Sequence, residues 1–156
     1  MTRSDHDATF ILFATAHEPR LRRAFVAAYG TDRGTEATAE ALAYAWQHWK
    51  RVSAMMNPVG YLYRVGQSRT RPRRQHPLRP EWRTPDNEPR HFEPGLAPAL
   101  AALSEAQRVA VVLVHGFDWT LHEVAEFTGV TISTVQTHLE RGLRRLRTAL
   151  EVEENA

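Results

Sequence analysis

The sequence of 156 residues contains no cysteine, which excludes disulfides and thiolate metal sites. Long apolar segments are missing too, because the longest apolar run, residues 109 to 114, is far too short to cross a bilayer. The N-terminal residues lack the hydrophobic core of a signal peptide. We therefore expect a cytoplasmic protein with no membrane insertion.

Lysine is almost missing as well. The chain has 19 arginines and a single lysine, Lys50, although its formal net charge is only +2. Arginine binds phosphate and guanine in a bidentate manner, so this surplus favours a nucleic-acid partner. A genomic bias toward arginine explains the composition equally well. The 42% of hydrophobic residues is enough for one compact core or two small ones.

Residues 117 to 147 have the pattern of a helix-turn-helix. Ala125 supplies a small residue where two helices cross, Gly129 a turn that tolerates positive φ, and Val135 an apolar anchor on the second helix. The segment ends in four arginines, which suit a phosphate backbone. We therefore expect this segment to bind duplex DNA; the plainer alternative is a helical hairpin with a solvated basic face.

Capping patterns mark the start of both helices. Thr120 and Glu123 have the spacing of a reciprocal capping box, and Thr131 can cap the second helix. A buried stripe is predicted at Val135, Leu139, Leu143, Leu146 and Leu150. The remaining faces are predicted to contact duplex DNA through Ser133, Thr134, Gln136, Thr137, His138, Arg141, Arg144 and Arg145.

A proline-rich segment divides the chain. Six of the nine prolines lie between Pro72 and Gly95, where no apolar periodicity occurs. We expect residues 72 to 95 to be a linker, with a passive disordered tether as its simplest description. The predicted fold class is all-α, with two small helical domains at residues 1 to 71 and 96 to 156.

Helical patterns fill both domains. In the first we expect one helix to end near His17 and a new one to begin at Pro19 and stop at Gly30. Another is expected from Thr35 to Val52, and Asn57 with Pro58 opens a further helix.

The second domain begins with a short apolar helix around Leu100. Ser104 and Gln107 then have the spacing of a capping box, which predicts a helix from Glu105 to about His115. Together with the helix-turn-helix, this makes a unit of four helices.

A basic run leads into the linker, with seven arginines between Arg64 and Arg83 against one acid, Glu81. Aromatic residues beside such charge suit single-stranded nucleic acid, because bases stack on rings while arginines follow the backbone. The candidates are Tyr61, Tyr63 and Trp49. Helical spacing also fits core positions, and this is the stronger interpretation for Trp46 and Trp49.

With both domains in view, the chain resembles the bacterial RNA polymerase sigma factors, in particular the extracytoplasmic-function (ECF) group. The resemblance covers about residues 10 to 71 and 96 to 150. The sequences LSEAQRVAVVLV and HEVAEFTGVTISTVQTHLERGLRRLR are similar to the fourth region of that group. The sequences EATAEALAYAWQHW and NPVGYLYRVGQSRTRPRR are similar to its second region.

The resemblance implies a dissociable subunit that binds core RNA polymerase and directs promoter recognition, without covalent chemistry or a cofactor. It implies minus-35 binding by the second domain and polymerase docking with minus-10 melting by the first. The matching core-binding positions are Glu36, Glu40, Tyr44 and Gln47. The corresponding minus-10 positions are Arg51, Asn57, Tyr61, Arg64, Ser68 and Arg71, of which Tyr61 and Ser68 replace the family's usual tryptophan and asparagine. Met55 and Met56 lie in the loop from Arg51 to Asn57. An anti-sigma factor is a further candidate partner, and the nucleoid is the expected location.

Departures from the family pattern keep other hypotheses open. Thr35 and Ala39 stand where the core-binding helix usually begins with acidic residues and glutamine, and Gln136 replaces the usual lysine of the recognition helix. One alternative is a degenerate sigma-like interaction module that does not direct initiation. Another is a plain helix-turn-helix regulator, which would need a symmetric dimer.

An enzyme is the weakest hypothesis. His122 to Glu126 nearly matches the HExxH metalloprotease pattern, but Glu126 stands where the second zinc-binding histidine belongs. We therefore expect no catalytic residue, no metal and no cofactor.

Overall fold

The computed structural model describes residues 2–70, 80–82 and 95–154, and these are mainly helical. The helices are α1 (Arg3–Tyr29), α2 (Thr31–Gln47), α3 (Trp49–Ser53), α4 (Pro58–Thr70), α5 (Leu96–Ala102), α6 (Glu105–Val111), α7 (Leu121–Thr128) and α8 (Ile132–Glu154). A π-helical turn, Val112–Gly116, continues α6. The all-α prediction is thus confirmed. Most of the predicted linker lies outside the described residues, and the exact domain limits stay a prediction.

Helix α1 runs unbroken through Pro19, so the prediction that a new helix begins there is wrong. Proline removes one backbone hydrogen bond and crowds the preceding turn. Packing on both sides of Pro19 offsets this cost. Phe13 lies 5.0 Å from the Trp49 ring, and Phe25 lies fully buried on the other side of the proline.

The single helix predicted from Thr35 to Val52 is instead two helices. α2 begins earlier, at Thr31, directly after Gly30 reverses the chain with a φ of 87°. It ends at Gln47, because His48 leaves the helical region with φ −118° and ψ 27° before α3 begins. The break at His48 turns the chain toward the loop that precedes α4, so that Asn57 caps α4 as predicted. Its Oδ1 accepts from the Gly60 amide at 3.1 Å.

A row of contacting aromatic rings connects the N-terminal half of the molecule with its C-terminal half. Phe25 of α1 stacks on Tyr63 of α4 at 5.0 Å, and Tyr63 meets Phe127 of α7 at 5.1 Å. Phe127 in turn meets Trp119 at 5.3 Å. Burying aromatic rings removes a large apolar area from water. The N-terminal helices and the helix-turn-helix therefore share a hydrophobic core.

A buried arginine joins the halves beside these rings. Arg108 is 6% exposed, and its Nε and Nη2 donate to the carbonyl oxygen of Ala28 at 2.9 and 2.6 Å. Its Nη1 donates to the Leu103 carbonyl oxygen at 2.8 Å. Burial lowers the pKa of the guanidinium. The last turn of α1 has no basic residue of its own, so Arg108 places positive charge at the negative end of that helix.

The described part of the linker is docked on the turn between α1 and α2. Pro80 is buried, the Glu81 carbonyl oxygen accepts from the Thr31 amide at 2.8 Å, and Trp82 Nε1 donates to the Val26 carbonyl oxygen at 2.8 Å. A Cβ on Gly30 would lie 2.4 Å from the Glu81 carbonyl oxygen, so the close approach needs glycine. A passive tether is therefore the wrong description of residues 80 to 82.

Candidate nucleic-acid interface

The predicted helix-turn-helix is confirmed at α7 and α8. Gly129 has a φ of 76° and donates its amide hydrogen to the Ala125 carbonyl oxygen at 2.9 Å, which closes α7. Ala125 and Val135 are buried, as expected of the residues where the two helices meet. α8 begins with the predicted cap, because Thr131 Oγ1 accepts from the Thr134 amide at 3.1 Å.

The cap of α7 differs from the prediction. Thr120 Oγ1 accepts from the Glu123 amide at 3.1 Å, as a capping residue should. The reciprocal half of the predicted box is wrong. The Glu123 carboxylate accepts from the Thr120 hydroxyl at 3.2 Å and from Arg20 Nη2 at 3.1 Å. Arg20 belongs to α1, so a cation from the other half draws the carboxylate away from the Thr120 backbone.

Helix α8 has one buried side and one exposed side. Val135 and Leu146 are buried, while Leu139, Leu143 and Leu150 are half-buried, which confirms the predicted stripe. The candidate minus-35 residues fall into two groups by exposure. Thr134 and His138 are half-buried, and the exposed ones are Ser133, Gln136, Thr137, Arg141, Arg144 and Arg145.

Arg145 and His138 adjoin other helices of the molecule. Arg145 donates to Gln107 Oε1 at 2.9 Å and to the Ala102 carbonyl oxygen at 3.0 Å. His138 lines a small cavity of about 120 Å³ together with Tyr63 and Gln67. The side chain of Arg145 thus holds α8 against α5 and α6, while the exposed side of α8 extends along the helix.

The minus-10 candidates lie on α3, α4 and the loop between them. Asn57 Nδ2 donates to the Glu126 carbonyl oxygen at 3.0 Å, which ties this loop to α7. Arg64 is exposed and lies beside the turn of the helix-turn-helix, where a Cβ on Gly129 would be 2.6 Å from its Nη1. Met56 is fully exposed. In this arrangement the loop lies partly against the other half of the protein.

Tyr61 belongs to a cluster of aromatic and basic side chains. Its hydroxyl oxygen lies 3.0 Å from that of Tyr44, and Arg51 Nη2 donates to both hydroxyl oxygens, at 3.3 Å for Tyr61. The guanidinium carbon of Arg69 lies 5.3 Å from the centre of the Tyr44 ring. The hydrogen bond with Tyr61 raises the pKa of Tyr44. The structure thus places Tyr44, a core-binding candidate, beside two minus-10 candidates.

The prediction that aromatic rings are available for base stacking is wrong for two of the three candidates. Tyr63 is 1% exposed and Trp49 is 4% exposed, so neither ring is open to a ligand. Burial raises the pKa of Tyr63 above its ordinary value. Trp49 Nε1 donates to Thr9 Oγ1 at 2.8 Å, which ties α3 to α1. Of the three candidates, Tyr61 alone is partly exposed.

The other candidates of the N-terminal half are spread along two helices. Glu36 and Gln47 are exposed on α2, and Glu40 is half-buried there. Ser68 is exposed on α4, and Arg71 lies outside the described residues. Arg69 of the predicted basic run adjoins Tyr44, and so does His48, which the sequence did not single out, with its ring 4.4 Å from that of Tyr44.

Neither a metal-binding cluster nor a membrane-spanning helix occurs among the described residues. His122 Nε2 lies 3.8 Å from a carboxylate oxygen of Glu126 on the exposed side of α7. Among the described residues no group of three or more metal-binding side chains comes together. None of the helices described is long and apolar enough to span a bilayer.

Comparison with known proteins gives a family match and a fold match. Residues 96–146 match the model of the family "Sigma-70, region 4". A similar solved structure is the sigma factor RpoE in complex with the anti-sigma factor NepR from Bartonella quintana. It is 21% identical, with a TM-score of 0.65 over 92% of this chain and 98% of that one, which shows a shared fold. No curated protein sequence matches. Residues 96–146 thus carry a sigma-70 region 4, and the chain as a whole shares the fold of that sigma factor.

Proposed function

We propose that this chain is a sigma factor of the extracytoplasmic-function type, which binds core RNA polymerase through the exposed side of α2 and reads promoter DNA with two separate surfaces. The observation that carries this assignment is the helix-turn-helix inside the sigma-70 region 4, whose second helix begins with exposed polar residues. The protein directs promoter recognition and transcription initiation. It does so by binding, and no catalytic step is assigned to its residues.

The minus-35 surface is the exposed side of α8. Ser133, Gln136 and Thr137 lie within its first two turns, where side chains of a recognition helix reach base edges. Arg141 and Arg144 follow one to two turns later on the exposed side and suit phosphates. Arg145 is held by α5 and α6, so we assign it a bracing role in addition to its place near the DNA.

The minus-10 surface includes the loop from Arg51 to Asn57, with Tyr61, Arg64 and Ser68 on the following helix. Unpaired bases can be captured by such a loop, with the cost of unstacking offset by stacking and phosphate contacts. Asn57 is bound to Glu126 of α7 in this arrangement. We therefore propose that the two halves separate before the loop receives the unpaired strand.

Polymerase binding is assigned to Glu36, Glu40 and Gln47. Their carboxylates and amide lie on one helix and suit a basic or polar partner surface. The related RpoE structure contains the anti-sigma factor NepR, and we propose that an anti-sigma protein also controls this chain. The site of action would be the cytoplasm, on the nucleoid.

The direct test is run-off transcription with purified core polymerase. Templates are first selected from random DNA by the reconstituted holoenzyme. We expect a transcript from selected templates that depends on adding this protein, and no transcript from scrambled templates. Absence of any such transcript would reject the proposal.

Two further measurements separate the alternatives. Capture of core polymerase without open complexes would indicate a sigma-like interaction module. Sizing as a dimer, together with a footprint on palindromic DNA in the absence of polymerase, would indicate a plain regulator.

A further inference from the structure

The cluster around Tyr44 has a charge opposite to that of the polymerase-binding candidates on the same helix. Glu36 and Glu40 lie earlier on α2, whereas Tyr44 is flanked by the guanidinium groups of Arg51 and Arg69. A partner surface that suits two carboxylates does not suit two guanidinium groups. This difference in charge distinguishes Tyr44 from Glu36 and Glu40, although Glu40 lies only one turn away on α2.

Internal hydrogen bonds hold the two rings in place. The Tyr44 and Tyr61 hydroxyls are 3.0 Å apart, and only one of them can donate in that bond. Arg51 supplies a further donor to each oxygen, so the rings from α2 and α4 are fixed at a centroid distance of 6.1 Å. A ring that is already ordered loses less conformational freedom when it binds a ligand.

Rings with guanidinium groups beside them fit single-stranded nucleic acid. Each base has a face that stacks on an aromatic ring, and arginines bind the phosphates between bases. Arg51, Arg69 and His48 are exposed, and Tyr44 and Tyr61 are partly exposed. A strand can therefore reach the cluster without separation of the two halves.

We propose that Tyr44, Tyr61, Arg51 and Arg69 form one single-strand-binding surface, in which Tyr44 contacts DNA and does not contact core polymerase. This inference rests on the proposed function and deepens it, because it extends the minus-10 surface from α4 onto α2. The ligand is the unpaired strand of the opened promoter. Arg69 and Tyr44 are new members of the surface.

The test compares Tyr44→Leu and Tyr44→Phe with the control Gln47→Ala on the same helix. Three affinities are measured for the full chain: for core polymerase, for a labelled single-stranded oligonucleotide taken from the selected promoter, and for the matching duplex. For Tyr44→Leu we expect single-strand affinity to fall about tenfold, which is within the range for one stacked base. Affinities for polymerase and duplex should stay unchanged. Circular dichroism confirms that the variant is folded.

Tyr44→Phe keeps the ring and removes the hydroxyl that holds Arg51. We expect a fall of about twofold to threefold and a weaker salt dependence, because one phosphate contact becomes less ordered. Gln47→Ala should weaken polymerase binding and leave single-strand binding intact. Loss of polymerase affinity in Tyr44→Leu with normal single-strand affinity would overturn the inference.

The two proposals fail in different ways. If the wild-type protein gives no promoter-dependent transcript but binds single strands through Tyr44, the proposed function is rejected and the single-strand-binding surface is supported. If transcription proceeds normally and all three variants bind single strands as tightly as the wild-type protein, the single-strand-binding surface is rejected and the proposed function is supported.

Discussion

The guanidinium of Arg108 donates two hydrogen bonds to the carbonyl oxygen of Ala28, 80 residues away along the chain. This contact places a charge from the sigma-70 region 4 at the end of the first helix. A buried guanidinium is costly unless its donors are paired, and here backbone carbonyl oxygens of both halves accept from it. A polar group inside an apolar core thus adds to the contact between the halves.

The first prediction concerns this arginine. Arg108→Met leaves the Ala28 and Leu103 carbonyl oxygens without their donor, at a cost of about 1 to 3 kcal/mol each, although the buried charge is also removed. We expect a net loss of about 2 kcal/mol in the free energy of unfolding, measured by urea denaturation.

The control for this prediction is Arg22→Met. Arg22 is exposed and pairs with Glu18 at 2.7 Å within α1, a contact of about 0.3 to 0.5 kcal/mol. Equal urea midpoints for the two variants would contradict the role assigned to Arg108.

The second prediction concerns Tyr63, whose buried hydroxyl oxygen has no hydrogen-bond partner among the described residues. Tyr63→Phe should raise the free energy of unfolding by about 1 kcal/mol at neutral pH, because an unsatisfied polar group leaves the core. A decrease would show that water in the adjoining cavity of about 120 Å³ binds the hydroxyl.

Tyr63 also predicts a dependence on alkaline pH. Burial raises its pKa in the folded state, whereas the unfolded chain releases this proton near pH 10. Above about pH 10 the unfolded state therefore binds fewer protons than the native state, and stability falls by about 1.4 kcal/mol per pH unit from this group. The slope should be smaller by that amount in Tyr63→Phe, as measured by urea denaturation at several pH values.

The third prediction concerns Gly30, where the linker meets the turn between α1 and α2. Gly30→Ala requires a side chain at a φ of 87° and a Cβ 2.4 Å from the Glu81 carbonyl oxygen. We expect a loss of about 1 to 2 kcal/mol in thermal or urea denaturation. Gly116→Ala is the control, since the nearest atom to its Cβ would be 3.6 Å away. A similar loss in both variants would argue against the docked linker.

The fourth prediction concerns Arg141 on the exposed side of α8. Arg141→Ala should weaken duplex binding by about 1 to 3 kcal/mol if the side chain contacts a base, and uniformly across sequences if it contacts phosphate. Affinity is measured by fluorescence anisotropy on selected and scrambled duplexes at several salt concentrations. Arg33→Ala removes an exposed charge from α2 and should have a much smaller effect. Unchanged affinity in Arg141→Ala would reject this placement of the recognition helix.

The fifth prediction concerns separation of the halves. The chain has no cysteine, so Asn57→Cys and Glu126→Cys can be joined cleanly by a reducible bis-maleimide linker. We expect the joined protein to keep its fold but to form no open promoter complexes with core polymerase, and reduction to restore them. Each single variant, treated in the same way, is the control. Open complexes at the normal rate in the joined protein would show that the halves need not separate.

Signals that act over a few residues were predictable. Thr131, Ser104 and Gly129 mark helix ends through contacts within three or four positions, and all three act as expected. The helix start predicted at Pro19 was wrong, because packing of aromatic residues distant in sequence outweighs the hydrogen bond that proline removes from α1. The end of α2 was missed because the apolar spacing continues across His48 while the backbone does not.

Contacts between distant segments were not predictable. In the sequence, nothing distinguishes Arg108 from the other basic residues, because its role depends on the packing of α6 against α1. Tyr44 and Tyr61 likewise come together only when α2 and α4 pack. Spacing along one helix contains no information about the charge that another helix supplies. The sequence could therefore predict a set of helices and faces, while the neighbours of each candidate side chain required the packed structure.

The docked segment at Glu81 and Trp82 changes the reach of the molecule. A linker of 24 residues could extend about 80 Å, but only 12 residues lie between Trp82 and Gly95, which allows about 45 Å at full extension. While Trp82 stays bound to α1, this shorter segment limits how far the recognition helix can move from the N-terminal half after the halves separate. The bound segment then sets a maximum distance between the two DNA-binding surfaces. Promoters whose two elements lie farther apart than this would be bound through only one of them.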